Sequence, residues 1–315
     1  MIGTALTTAI ELLRRDEVVA VPTETVYGLA GNALSPKAVV SIFEIKNRPR
    51  FDPLIVHTSS VERLSQYANA FPEAARRLAD QFMPGPLTLL LDKAEVIPDL
   101  VTAGSPRVAL RIPNHPLTLS LLQQLDFPLA APSANPFGYI SPTTAQHVAD
   151  QLGGQIPYIL DGGPCRVGVE STIVGFEDGQ AIVYRKGGVP VEALTALVGP
   201  VQVREHSTSN PNAPGMLKSH YAPGAKVVIG NIEELLPDYE GQRVGVIRFS
   251  KTTEKLPAEH QLILSPQGDF AEAARRLFAG MRQLDALQLD VILAELLPEE
   301  GLGRAVNDRL RRAAA

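Results

Sequence analysis

The segment VVAVPTETVYGLAGNA, from Val18 to Ala33, ends an apolar run with a close group of hydrogen-bonding side chains. The run from Val18 to Val21 is short and β-branched, which predicts a buried strand that stops at Pro22. Ligands in open α/β sheets bind beyond the carboxyl ends of strands. The turn after this strand is therefore expected to bind a small polar ligand through Thr25, or else to cap the next element with its threonine and glutamate side chains.

Helix-forming and strand-forming patterns surround this strand. A helix is predicted from Thr4 to Arg15 and another from Pro36 to Lys46, with Ser35 at the N-cap and proline in the first turn. Further strands are predicted at Asp52–Ser60, Leu87–Leu91, Arg107–Pro113, Pro128–Ala134, Tyr158–Gly163, Ser171–Phe176 and Ala181–Gly187. Helices connect some of these strands and hairpins connect others. This mixture predicts an α/β fold with a mixed sheet.

The chain divides into two predicted domains. It has 315 residues, 45% of them hydrophobic, which is enough for more than one core. Residues 201–225 are rich in Pro, Asn, Ser and Gly and predict a linker. Strand and helix patterns alternate again beyond it. We therefore expect one domain over residues 1–200 and a small parallel α/β domain over residues 226–315.

The composition excludes several classes of protein. A formal net charge of -5 argues against a surface built throughout to bind nucleic acid or anionic lipid. The single cysteine, Cys165, permits neither an internal disulfide nor a cysteine-pair zinc site, and the six histidines lack metal-binding spacing. No apolar run is long enough to span a membrane, and residues 1–17 do not resemble a signal peptide. We expect a soluble, cytoplasmic protein.

Cationic side chains cluster near two of the predicted strands. Lys46, Arg48 and Arg50 crowd a proline-containing turn, where they either hold phosphates or form solvated surface. Arg107 and Arg111 fall on one face of a strand, because side chains alternate along it with a period of two. Two arginines on a central strand need either an anionic ligand or an internal salt bridge. Both alternatives are compatible with the sequence.

Other polar positions are less specific. APSANPFGYISPTT, from Ala131 to Thr144, offers the hydroxyls of Ser133 and Ser141 but lacks the spacing of a phosphate-binding P-loop. Cys165 is either reactive beside Arg166 or incidental. Many anion contacts and few acid-base groups are typical of a protein that positions a nucleotide for phosphoryl or nucleotidyl transfer.

A series of motifs resembles the YrdC-like domain of threonylcarbamoyl-AMP synthases over Thr4 to Pro200. In chain order the motifs are PTETVYGLAGNA, IFEIKNRPRFDPLIVH, MPGPLTLLL, VALRIPNH, APSANPFGYISPT, DGG, GVESTIV and YRKGG. PGMLKSHYAPGA resembles the linker of the family's long, two-domain form, and EEGLGRAVNDRLRRAAA resembles the end of its C-terminal domain. The resemblance implies a YrdC-like mixed twisted sheet with helices, followed by a smaller Rossmann-like α/β domain.

The same resemblance implies an enzyme. Its substrates would be L-threonine, ATP and bicarbonate or CO2, and its products threonylcarbamoyl-AMP and pyrophosphate. Mg2+ would be bound with ATP, with no organic cofactor and no metal site built by the protein. Separate proteins would then transfer the threonylcarbamoyl group to adenosine in tRNA. The alternative function is an RNA-binding module that uses a basic concave face, and weak RNA binding is expected of such a face.

The resemblance also implies roles for individual residues. L-threonine would be bound by Thr25, His57, Arg111, Ala131 and Ser171. ATP would be bound by Lys46, Arg48, Asp52, Arg107, Ser133, Ser141, Arg185 and Tyr221, with Lys46 and Arg48 also catalytic. Asp52 stands where the family often has asparagine, and its carboxylate is expected to act through Mg2+ on the nucleotide. The linker, including Tyr221, would form an active-site lid that the C-terminal domain anchors.

Overall fold

The computed structural model describes residues 1–204, 213 and 219–315. The part of the chain it describes contains a mixed sheet of eleven strands and a parallel sheet of four. The large sheet consists of β1 Ile2–Gly3, β2 Val19–Val21, β3 Gly28–Asn32, β4 Ile55–His57, β5 Leu87–Asp92, β6 Arg107–Arg111, β7 Leu129–Ala130, β8 Tyr158–Leu160, β9 Thr172–Glu177, β10 Gln180–Arg185 and β11 Gln202–Val203.

Helices cover the large sheet. They are α1 Leu6–Arg14, α2 Pro36–Lys46, α3 Val61–Leu64, α4 Glu73–Phe82, α5 Asp99–Thr102, α6 Pro116–Gln124, α7 Ala145–Leu152 and α8 Val191–Val198. The strand order is β1-β8-β2-β3-β7-β4-β6-β5-β9-β10-β11. β4 and β6 are parallel, whereas β7 and β5 on either side run antiparallel to them. The predicted mixed sheet is thus confirmed. β11 lies within the segment predicted as linker and pairs with β10.

The second domain contains the small sheet. Its strands are β12 Lys226–Ile229, β13 Val244–Arg248, β14 Gln261–Ile263 and β15 Val291–Ala294, and its helices are α9 Ile232–Leu235, α10 Phe270–Ala286 and α11 Gly303–Ala313. All strand pairs are parallel, in the order β12-β15-β13-β14. Leu277, Phe278 and Met281 of α10 are buried with Ile292 of β15. The predicted small α/β domain is therefore confirmed. None of the helices in the described ranges is long and apolar enough to cross a membrane.

The central strands of the large sheet separate two layers of side chains. Val56 belongs to the main core, whereas Ile55 and Ala109 belong to a smaller cluster on the opposite face. Because side chains alternate along a strand, His57 and Arg111 lie on the same face as Ile55 and Ala109. This face carries the candidate active site.

Helix α2 has the bounds that its capping residues predict. The Ser35 hydroxyl accepts a hydrogen bond from the amide of Ala38 at 3.4 Å, and Pro36 occupies the first turn. Asn47 ends the helix in the left-handed conformation, with φ 49°. The chain therefore turns sharply before Arg48, which enters the site described below.

Replacement of Ser35 by alanine is expected to lower the free energy of unfolding by about 1 kcal/mol, because the first turn of α2 loses its side-chain acceptor. Urea denaturation measures this change. Ser41 lies on the same helix and bonds only to the carbonyl of Lys37 among the described residues. Its replacement by alanine should therefore change the free energy by less than about 0.5 kcal/mol. Equal effects of the two substitutions would contradict a stabilising cap.

Candidate active site

A small cavity lies where β4 and β6 end. Its volume is about 50 Å³. The lining residues are Val26, Arg48, Pro53, Ile55, His57, Arg111, Ala131, Pro132, Ser133, Glu170, Arg185, His220 and Tyr221. Segments that are distant in the sequence therefore meet in one pocket.

Sheet pairing places three of the predicted threonine-binding residues side by side. β4 and β6 are parallel, and His57 lies opposite Arg111 at their carboxyl ends. The amide of Ala131 donates to the carbonyl of Ile55 at 3.0 Å, which continues the ladder beyond β7. His57, Arg111 and Ala131 consequently line the pocket together.

Arg111 is buried and bound to the turn that follows β2. Its Nη2 lies 2.8 Å from Glu24 Oε1 and donates to Thr25 Oγ1 at 2.9 Å. Its Nε donates to the carbonyl of Gly85 at 3.3 Å. Glu24 also accepts a hydrogen bond from the amide of Asn114 at 3.0 Å. The internal salt bridge that the sequence allowed is present, and Arg111 still faces the pocket.

The structure supports the structural interpretation of the threonine-rich turn through Thr23, whereas ligand binding by Thr25 stays a prediction. Thr23 Oγ1 accepts from the amides of Thr25 and Val26, at 3.1 and 3.2 Å, and donates to the carbonyl of Val26 at 2.6 Å. Thr23 therefore stabilises the turn itself. Thr25 and Glu24 instead hold Arg111, so Thr25 lies behind the lining residues.

His57 is a buried, neutral side chain. Burial, and next the charge of Arg111, lowers the pKa of His57 from 6.5 to about 3. Its Nδ1 lies 3.3 Å from the carbonyl oxygen of Ile55. At neutral pH the imidazole therefore adds a polar but uncharged group beside Arg111.

His57 is expected to stay unprotonated in the folded protein from about pH 8 to about pH 5. Its resonances in NMR spectra, identified by their loss in His57→Gln, should not shift over this range. The unfolded chain takes up a proton near the ordinary pKa of 6.5, so stability is lost as the pH falls from there toward 3. The loss attributable to His57 is up to about 1.4 kcal/mol per pH unit and should be absent in His57→Gln. A His57 titration near pH 6 would contradict this.

Arg48 enters the pocket from the turn after α2. Its Nη2 lies 2.9 Å from Asp52 Oδ2 and donates to the carbonyl of Pro53 at 2.8 Å. Its Nε donates to the carbonyl of Asp52 at 3.1 Å. The Arg48 Cζ atom lies 5.8 Å from the centroid of the Phe137 ring. Asp52 is buried behind Arg48 rather than among the lining residues. These contacts fix the orientation of Arg48.

Lys46 supports the pocket without lining it. Its ammonium donates to the carbonyls of Ser133 and Asn135, at 2.6 and 2.5 Å. Burial, and next the charge of Arg48, lowers the pKa of Lys46 well below its usual range. Lys46 thereby holds the loop from which Ser133 faces the cavity. Its catalytic assignment stays a prediction.

Two of the predicted serines support charged lining residues. Arg185 donates from Nε to the Ser171 carbonyl and from Nη2 to the Ser171 hydroxyl, both at 3.0 Å. The Ser171 hydroxyl also lies 2.7 Å from Thr88 Oγ1. Ser141 donates to Glu170 Oε1 at 2.7 Å. Ser141 and Ser171 therefore lie behind the residues that line the cavity.

Arg107 lies apart from the other predicted residues. Its Nη1 donates to the Tyr184 hydroxyl at 2.9 Å and lies 3.5 Å from Glu177 Oε1. Arg107 and Arg111 are four positions apart on an extended strand, a distance of about 13 Å. The two arginines share a face of β6, as predicted, but the structure brings only Arg111 to the pocket. The assignment of Arg107 to the nucleotide stays a prediction.

Two family models together match this chain over most of its length. The family model described as "Telomere recombination" matches residues 11–187, and the model described as "Threonylcarbamoyl-AMP synthase, C-terminal domain" matches residues 189–315. A threonylcarbamoyl-AMP synthase of Pyrococcus abyssi is 43% identical over 96% of this chain and 91% of its own length. One of Bacillus subtilis is 40% identical over 97% and 92%. This chain belongs to the threonylcarbamoyl-AMP synthase family.

A solved structure extends the match to three dimensions. The crystal structure of P. abyssi Sua5 complexed with L-threonine has a TM-score of 0.94 and 40% identity, and the match covers 100% of this chain and 97% of that one. The family resemblance of the sequence is confirmed, together with the fold class and the assignment as an enzyme of the synthase family.

The linker of this family member reaches into the pocket. Tyr221 is buried with a φ of 68°, and its ring centroid lies 5.4 Å from that of Phe278 in α10. The guanidinium of Arg312 lies 4.6 Å from the centroid of the same ring. Ala213 is buried in the cluster that contains Ile55. The rest of the predicted lid, residues 205–212 and 214–218, lies outside the described residues.

Sequence reasoning missed two charged or polar lining residues, Glu170 and His220. Glu170 lies in the motif GVESTIV, and a carboxylate in a buried strand motif needs a cationic partner, which is a usable signal. His220 precedes Tyr221 and packs edge-on against Phe137 at 5.4 Å. No sequence pattern distinguishes it from a structural histidine.

Cys165 is a buried free thiol. Burial, and next the charge of Glu24, raises the pKa of the Cys165 thiol far above its ordinary value, so the reactive alternative is not supported. Among the described residues, no three His, Cys, Asp or Glu side chains lie close enough to hold a metal ion. Arg48, Arg111 and Arg185 instead converge on one cavity. This arrangement favours an anionic ligand.

Proposed function

We propose that this enzyme condenses L-threonine, ATP and bicarbonate or CO2 into threonylcarbamoyl-AMP and pyrophosphate. The observation that carries the proposal is the convergence of Arg48, Arg111 and Arg185 on one buried pocket, in a chain of this family. The threonine complex of P. abyssi Sua5 supports the choice of amino acid. Convergence on a pocket, rather than spread along a groove, favours the synthase over an RNA-binding module.

Arg111 is the proposed partner of the threonine carboxylate. Glu24 and Thr25 hold its Nη2 and the Gly85 carbonyl holds its Nε, so the guanidinium is fixed before the substrate enters. A preorganised guanidinium binds a carboxylate with directional, charge-assisted hydrogen bonds. His57, which is uncharged, then contacts the substrate without repelling its ammonium group.

The proposed reaction has two bond-forming steps. The threonine ammonium group first loses a proton to solvent, and the resulting neutral amine attacks CO2, which forms an N–C bond and releases a second proton to solvent. A carbamate oxygen then attacks the α-phosphorus of ATP, which forms an O–P bond and breaks the bond to the pyrophosphate leaving group. Arg48 and Arg185 stabilise the negative charge that develops on the phosphate oxygens. Ser133 lies beside them on the lining.

Mg2+ is proposed to enter with ATP and to neutralise charge on its phosphates when bound. The carboxylates nearest the cavity, Glu24, Asp52 and Glu170, lie in ion pairs with arginines. They are therefore better placed to orient cationic side chains than to hold the metal. In this scheme Asp52 acts on the nucleotide by positioning Arg48.

The linker is proposed to act as a lid. His220 and Tyr221 line the cavity from the linker side, so a movement of these side chains would open it to substrates. Their return would exclude water from the labile carbamate and the mixed anhydride. We further propose that separate transfer proteins use the product to modify adenosine in tRNA, in the cytoplasm.

Pyrophosphate release by the purified protein tests the proposal. ATP and Mg2+ are supplied with L-threonine and bicarbonate together, with each alone, and with neither. Release that requires both co-substrates is the expected result. Release that depends on neither would overturn the proposed reaction.

A further inference from the structure

Arg309 reaches from the C-terminal domain to the lining of the active site. It lies in α11 and its side chain is fully buried. Its Nε donates to Glu170 Oε2 and its Nη1 to the carbonyl of Lys186, both at 2.9 Å. Its guanidinium also lies 5.3 Å from the ring centroid of Tyr221. One side chain of the second domain thus contacts two lining residues.

Both oxygens of Glu170 have hydrogen-bond donors. Ser141 donates to Oε1 at 2.7 Å, and Arg309 donates to Oε2. Burial alone would raise the pKa of Glu170, but the charges of Arg309 and then Arg185, with the Ser141 hydrogen bond, bring it below its ordinary value. Glu170 is therefore a carboxylate within the field of two buried cations, of which Arg185 faces the pocket.

We propose that Arg309 is a positioning residue of the active site, which holds the Glu170 carboxylate away from Arg185 and supports the ring of Tyr221. A buried carboxylate that loses its partner is left as an uncompensated charge, and Arg185 lines the same cavity as Glu170. Without Arg309, Glu170 would pair with Arg185 and neutralise a cation that the nucleotide needs. This inference rests on the proposed function, because it assigns ATP phosphates as the ligand of Arg185.

Replacement of Arg309 by methionine tests the proposal. We expect the KM for ATP to rise about 10- to 100-fold, the effect of losing one charge-assisted contact to the nucleotide. The double variant Arg309→Met with Glu170→Gln should recover to within about three-fold of Glu170→Gln, because the Glu170 carboxylate is no longer there to capture Arg185. Asp308, which also pairs with Arg309 at 2.6 Å, keeps Arg312 as a second cation 3.8 Å away. Arg309→Lys, which keeps the charge but loses one donor direction, should fall between the wild type and Arg309→Met.

Arg304 provides the matched control. It also lies on α11 and crosses the domain boundary, where its Nε donates to Glu192 Oε1 at 3.0 Å. The side chains of Arg304 and Glu192 are both partly exposed, and neither lines the active-site pocket. Arg304→Gln should change the KM for ATP by less than about two-fold. Thermal unfolding of every variant shows whether it is folded.

Three outcomes overturn the positioning role. The first is that Arg309→Met and Arg304→Gln have the same KM for ATP. The second is that the double variant Arg309→Met with Glu170→Gln has a KM for ATP as high as that of Arg309→Met. The third is that Arg309→Met lowers thermal stability without changing the KM for ATP. ATP binding and pyrophosphate release by the wild-type protein distinguish a failure of this inference from a failure of the proposed function. If it binds ATP but releases no pyrophosphate, the proposed reaction fails and the Kd for ATP decides the role of Arg309 in the same variants. If it binds no ATP, both fail.

Discussion

Arg48→Gln is expected to lower kcat/KM for ATP by about 10³-fold, the largest loss from any single substitution in the proposed nucleotide site. Arg48 lines the cavity, and Asp52 and the carbonyl of Pro53 fix its guanidinium. The substitution removes a preorganised cation from the place where phosphate charge develops. Pyrophosphate release at varied ATP concentration measures the loss.

Two further variants separate this loss from damage to the fold. Arg48→Gln leaves Asp52 buried without its cation, and adding Asp52→Asn removes that charge. We expect the double variant to regain stability but not activity. Arg50 lies two residues away and is exposed, so Arg50→Ala should change kcat/KM by less than about two-fold. Equal losses in Arg48→Gln and Arg50→Ala would show that the turn acts only through its overall charge.

Arg111→Met is expected to abolish threonine binding and to lower the free energy of unfolding by about 3–5 kcal/mol. The two effects have different causes. Binding is lost because the carboxylate loses its proposed partner. Stability is lost because Glu24, only 2% exposed, is left without the guanidinium that lies 2.8 Å away.

Adding Glu24→Gln to Arg111→Met tests this division. The double variant removes both buried charges, so its stability should return to within about 2 kcal/mol of the wild type. Threonine binding, measured by calorimetric titration, should remain absent. A double variant that binds threonine would show that Arg111 serves only the salt bridge and that another group binds the carboxylate.

Local sequence patterns were sufficient where the deciding interactions are themselves local. Helix α2 matches its prediction because Ser35 and Pro36 act within one turn. The strand predicted from Asp52 to Ser60 is shorter, at Ile55–His57. The carbonyls of Asp52 and Pro53 accept hydrogen bonds from Arg48 instead of joining the ladder. An apolar pattern does not reveal such a competing donor.

The candidate site also has some features that local patterns predict and others that they do not. Period-two alternation put Arg107 and Arg111 on one face of β6, but the length of the strand between them brings only Arg111 to the pocket. The motifs identified most residues of the pocket, whereas Thr25, Lys46 and Ser141 turned out to hold lining residues from behind. Their side chains bond to protein groups that lie far away in the sequence. Proximity in a motif cannot separate a lining residue from its support.

The chain carries in its local chemistry the strands, the caps, the cationic turn at Arg48 and the ordered motifs of the synthase family. It does not carry, in any local pattern, the partner of each buried charge. Glu24 meets Arg111 because β2 and β6 belong to one sheet, and Glu170 meets Arg309 because a second domain docks against the first. Such contacts join residues 87 and 139 positions apart, so they exist only after long-range pairing has closed the intervening chain.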